Sequence, residues 1–112
     1  MNTEQFLPLS PPMYAVLITL GDGALHGYGI IETFERSTGQ RGALLPGSLY
    51  NTIARMMTQR LLDEVPAPDE ETDGRKRYYR ATELGRAVAR AESARLRELL
   101  ALADGGGLAH SG

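Results

Sequence analysis

Residues 74 to 82 read GRKRYYRAT and gather Arg75, Lys76, Arg77 and Arg80, four of the twelve cations in the chain, around Tyr78 and Tyr79. Guanidinium and ammonium groups at this density hold anionic oxygens, and a phosphate backbone suits both. The whole chain carries a formal net charge of −2, so the positive charge is local. A local basic face is all that phosphate contact requires, and a domain can carry one while staying acidic elsewhere. Directly before the run stand Asp69, Glu70, Glu71 and Asp73. They give the plainer alternative, a solvated hairpin whose cations neutralise neighbouring acids. Strand alternation places Lys76, Tyr78 and Arg80 on one face and Arg77 and Tyr79 on the other, so one ring packs inward while cations stay available.

A second polar set lies in PGSLYNTIARMMTQ, where Ser48, Asn51, Arg55 and Thr58 share one side at helical spacing, opposite Leu49, Ile53 and Met56. The Asn51 amide suits adenine, Arg55 suits guanine or phosphate, and Ser48 and Tyr50 near the helix start suit phosphate oxygens. Any surface helix has a polar outer face, so the pattern alone leaves both readings open. His26 has no partner for ligation or base chemistry and reads as a cap that orients a turn. The glycines of HGYG lack the lysine and spacing of a nucleotide loop. With no cysteine and only His26 and His110, far apart, thiolate chemistry is excluded and a metal site would need carboxylates alone. No catalytic pair can be assembled, so neither an enzyme nor a cofactor is expected.

The elements that carry these groups follow from periodicity and punctuation. Ser10-Pro11 starts a helix that runs to Leu20, with Met13, Val16, Leu17 and Leu20 as its stripe, and Gly21-Asp22-Gly23 ends it. A second helix lies within LHGYGIIETFERSTG and stops at Gly39; Gly27 and Gly29 in its first turn point to a close approach of helix backbones. Pro46 opens the third helix. Leu61 to Val65 and RKRYYRAT read as two strands joined by the turn PAPDEETDG. Thr82 caps a last helix from residue 83 to 104, where Leu84, Val88, Ala91, Leu99 and Leu102 form one stripe and Leu96 and Leu100 widen it. At roughly 30 Å that helix outruns a small core, and its uncovered remainder should meet a second copy.

At 112 residues, 42% of them hydrophobic, the chain builds one domain. No apolar run approaches the roughly 18 residues needed to cross a bilayer, and MNTEQFLPLSPP has no signal-peptide pattern, so a cytoplasmic protein without membrane contact is expected. The order helix, helix, helix, hairpin, helix is that of a winged helix-turn-helix, a mainly α (α+β) fold with a two-stranded wing. The expected division is an arm at 1–10, the winged domain at 11–82, a dimerisation helix at 83–104 and a flexible tail at 105–112.

LHGYGI at the second helix, PGSLYNTIARM at the third and GRKRYYRATELGR from wing to last helix together resemble the PadR family of bacterial transcriptional regulators, in its short form with a single C-terminal helix. The resemblance covers roughly residues 9 to 90. It implies a homodimeric repressor that binds double-stranded DNA through Ser48, Tyr50, Asn51, Arg55, Arg75, Lys76, Arg77 and Arg80 and dimerises through Leu84, Val88, Ala91, Leu96, Leu99, Leu100 and Leu102. It also implies release by a small molecule, here a small apolar effector. One departure is Leu45, where relatives commonly carry a serine that caps the third helix. A winged-helix module that contacts protein instead of DNA is the alternative.

Overall fold

The computed structural model describes residues 2–106. Among them α1 (Pro11–Leu20), α2 (Gly27–Thr38), α3 (Pro46–Thr58) and α4 (Glu83–Gly105) surround a small antiparallel sheet of β1 (Ala24–His26), β2 (Leu62–Val65) and β3 (Tyr78–Ala81), in the order β1-β3-β2. This is a mainly helical winged helix-turn-helix.

The sequence punctuation explains most of the boundaries. Ser10 Oγ accepts from the Met13 amide at 3.4 Å, Pro11 sits where no N–H is needed, and Gly21, at φ +55°, ends α1 in a conformation that a side chain resists. Met13, Ala15, Val16, Leu17 and Leu20 are all buried, because α1 is the central helix, with α2, α3 and α4 packed around it. Ile30 and Ile31 of α2, Leu49, Ile53 and Met56 of α3, and Val88 of α4 complete the core.

The sheet has one strand more than the expected hairpin. Ala24, Leu25 and His26 pair with Arg80, Tyr79 and Tyr78. Three residues between glycines carry too little alternation to announce a strand, and β1 exists because β3 offers it a free edge. The N-terminal arm is not free either: its short 3₁₀ turn, Glu4–Phe6, lies against α4, Phe6 and Leu7 pack on the core, and Leu9 is buried.

The join of sheet to α4 is closely fitted. Thr82 donates from its hydroxyl to the Arg60 carbonyl at 2.6 Å, accepts at the same oxygen from the Gly85 amide at 2.9 Å, and gives its own amide to the Leu61 carbonyl at 3.0 Å. A Cβ on Gly85 would collide with that Leu61 carbonyl oxygen. α4 continues through Gly105 with Gly106 as its C-cap, two residues into the stretch expected as tail, and residues 107–112 of that stretch lie outside the described residues.

Candidate nucleic-acid interface

α3 presents its polar groups as its periodicity requires. Leu49, Ile53 and Met56 face the core, while Ser48, Tyr50, Asn51 and Arg55 are exposed. Leu45 occupies the N-cap position and supplies no side-chain hydrogen bond. Its carbonyl still accepts the Leu49 amide at 2.8 Å, and Pro46 removes one donor that would otherwise want a cap. The helix ends in a Schellman arrangement: Leu61 donates to the Met56 carbonyl at 2.8 Å and Arg60 to the Met57 carbonyl at 3.0 Å. Arg60 takes the left-handed position at φ +62°, which glycine normally fills.

His26 caps α2, its Nδ1 accepting from the Gly29 amide at 3.1 Å. The two glycines beside it admit rings, not helix backbones as expected from sequence. A Cβ on Gly27 would stand 2.6 Å from the Tyr50 hydroxyl, and one on Gly29 would stand 3.3 Å from the His26 ring. Tyr50 therefore leans from α3 onto the first turn of α2, with half its surface still open. Tyr28, more exposed still, lines the same hollow and was not identified from sequence; its only signal was an aromatic in the first turn of a helix.

The wing departs from simple alternation. β3 begins at Tyr78, so Arg75, Lys76 and Arg77 lie in the loop before it, and both tyrosines are buried. Tyr79 faces the core. Tyr78, on the other sheet face, is covered because the acidic loop folds back: its hydroxyl donates to Glu71 at 2.5 Å and its ring meets His26 edge-on at 5.3 Å. The Tyr78 hydroxyl and the Asp73 amide hold the Glu71 carboxyl below its ordinary range, and Glu71 in turn pushes the Tyr78 phenol up to about 12. Lys76 lies 3.5 Å from Glu71, Arg75 holds Asp73 through Nε at 3.2 Å and Nη2 at 3.3 Å, and Arg77 Nη1 reaches both Glu64 oxygens at 3.1 and 3.3 Å. Arg75 depresses the Asp73 carboxyl. Arg80 makes no ion pair among the described residues.

Tyr50, Tyr28, Arg75, Lys76 and Arg77 thus surround one hollow of about 560 Å³ between α2, α3 and the wing. Ser48, Asn51 and Arg55 lie along the exposed flank of α3, and Arg80 stands on the opposite sheet face from Tyr79.

The stripe on α4 divides in two. Val88 is fully buried in its own chain's core and Leu84 packs against that core, so Val88 is unavailable to a second copy; a helical stripe does not distinguish an internal partner from an external one. Ala91 is half-buried. Leu96, Leu99, Leu100 and Leu102 lie beyond the core and are 37 to 72% exposed. The helix is tied to the body just before them, where the Tyr14 hydroxyl of α1 meets Ser93 Oγ at 2.7 Å; beside it buried Glu92 receives Arg95 Nε at 2.6 Å and Nη2 at 2.8 Å in a pair within α4 itself.

Residues 16–91, more than half of the chain, match the Transcriptional regulator PadR-like family. An uncharacterised 37.1 kDa protein in transposon TN4556 of Streptomyces fradiae is 38% identical over 78 residues; that match takes in 70% of this chain and 21% of the relative, so the chain spans about a fifth of that relative's length. A PadR family transcription regulator from hypervirulent Clostridium difficile R20291 superposes with a TM-score of 0.72 at 19% identity, covering 85% of this chain and 96% of that one. Bacillus subtilis PadR, solved in complex with operator DNA, superposes with a TM-score of 0.61 at 21% identity over 75% of this chain and 47% of that one. With the family match across helices and wing, and the fold it describes present in full, the chain belongs to the PadR-like family of transcriptional regulators.

Proposed function

We propose that this regulator binds double-stranded DNA as a homodimer, reads an inverted repeat with α3, and represses by occluding a promoter. The observation that carries the reading is the shared setting of α3 and the wing: exposed hydrogen-bonding groups at Ser48, Asn51 and Arg55 beside a hollow ringed by Arg75, Lys76 and Arg77. Base-reading and phosphate-holding groups must sit side by side in this way if both are to reach one duplex. That the similarly folded Bacillus subtilis protein is complexed with operator DNA supports the same use here. The ion pairs within the wing do not prevent it, because exposed pairs are worth only about 0–1 kcal/mol and exchange readily for phosphate.

The exposed leucines of α4 are the proposed dimer contact, supplying the two-fold symmetry that an inverted repeat mirrors. A small apolar effector entering between paired α4 helices would change the half-site spacing and release DNA. Among the described residues no helix is long and apolar enough to cross a membrane. The pairing of three wing cations with the chain's own acids favours one alternative, a winged helix that contacts protein. Titrating the protein against random-sequence duplexes at several salt concentrations separates them: salt-dependent binding supports the DNA reading, and its absence supports the alternative.

A further inference from the structure

The acids of the wing are of two kinds. Glu71 is an anchor, its side chain 11% exposed and engaged by the Tyr78 hydroxyl, the Asp73 amide at 3.1 Å and Lys76. Asp73, its side chain a third exposed, and Glu64, more open still, do something else. Asp73 lines the same hollow as Tyr28, Tyr50, Arg75, Lys76 and Arg77, and its two oxygens take the Arg75 guanidinium in the side-by-side manner that phosphate oxygens would. Glu64 on β2 takes Arg77 by both oxygens in a second exposed pair.

We propose that Asp73 and Glu64 are built-in competitors for DNA phosphate, holding Arg75 and Arg77 in the free protein and limiting how tightly any duplex is gripped. The inference rests on the DNA-binding reading above. To give either arginine to a phosphate, the protein must open a carboxylate pair and leave the freed acid near a polyanion, where it gathers a counter-cation. Part of the gain from releasing DNA counterions is thereby cancelled. Unrelated DNA, held almost wholly by such contacts, is then released quickly, which leaves site occupancy to the groups on α3. Asp73 remains charged well into mild acid because Arg75 depresses its carboxyl, so the competition persists across the neutral range.

The test uses two near-isosteric changes. Asp73→Asn keeps an oxygen for the Arg75 amide, which now donates to Asp73 at 2.9 Å, and Glu64→Gln lies on a strand whose backbone is held by pairing with β3. Fluorescence anisotropy with a duplex of arbitrary sequence, over a series of potassium chloride concentrations, is the readout. Each variant should bind about two- to tenfold more tightly than the parent, and its plot of log affinity against log salt should steepen by up to about one unit. Parental or weaker affinity in both variants, at unchanged melting temperature, overturns the proposal. If Asp73→Asn lowers the melting temperature, Glu64→Gln decides by the same criterion. A parent protein that binds no duplex at any salt concentration sinks the DNA-binding reading itself, and the competitor role with it.

Discussion

Asn51 and Arg55 stand exposed on α3, and among the described residues their side chains make no hydrogen bond, the condition a base-reading side chain must meet. Replacing either by alanine should cost about 1–3 kcal/mol on the preferred sequence and leave unrelated DNA nearly unaffected, measured by anisotropy on both duplexes. An equal weakening on both would make the group a phosphate contact. Elsewhere single residues decide stability. Gly85→Ala drives a methyl into the Leu61 carbonyl and should cost about 3 kcal/mol in urea unfolding. Glu92, buried and held below its ordinary 4.5 foremost by Arg95, contributes stability present above its unfolded value and lost as pH falls through the folded one. Glu92→Gln should therefore cost about 1–2 kcal/mol at neutral pH, and the gap between variant and parent should narrow only as pH drops below 4.5. His26 was legible as a cap because a lone histidine before a glycine-rich helix start has little else to do. Gly85, Tyr28 and the burial of Glu92 were not, since each depends on a neighbour distant in sequence: Leu61, Tyr50 and the N-terminal arm with α4.

The helices were legible almost to the residue where serine, proline, threonine or glycine marked an end, as for α1 and the start of α4. The sheet was less so. β1 is too short to show a period, and Tyr78 is buried by an acidic loop whose fold no alternation rule contains. The wing nevertheless has a clear expected behaviour. Arg75, Lys76 and Arg77 changed together to alanine should weaken binding to specific and unrelated DNA alike and flatten the salt dependence by about one unit for each phosphate no longer held. Parental affinity and slope in that variant would remove the wing from the interface. At the far end of α3, Arg60→Gly relieves the left-handed position and should raise stability by about 0.5–1 kcal/mol in the same urea assay. For α4 the stripe was visible from sequence, but where the core stopped was not: Val88 is inside, and only from Leu96 onward are the leucines open. Leu99→Asp should thus leave the fold intact by circular dichroism and halve the mass seen by light scattering. An intact dimer would place the contact elsewhere.

Over the whole molecule, a protein of net charge −2 holds DNA only if its cations are concentrated where the duplex lies, and three of the four wing cations ring one hollow beside α3. The same cations pair with the chain's own acids, and on the proposed reading affinity for arbitrary DNA is modest and recognition depends on two copies acting together. In that proposed dimer each α3 would cover a single short half-site, and two of them, fixed by paired α4 helices, would reach half-sites about one DNA turn, roughly 34 Å, apart. Family membership establishes a PadR-like regulator, and the step from there to a symmetric, sequence-reading dimer has one direct measurement. Duplexes that the purified protein retains from a random pool, sequenced after several rounds at moderate salt, should converge on an inverted repeat with half-site centres about ten base pairs apart or a multiple of that. A pool that stays random, or that converges on a single unrepeated site, would contradict the account.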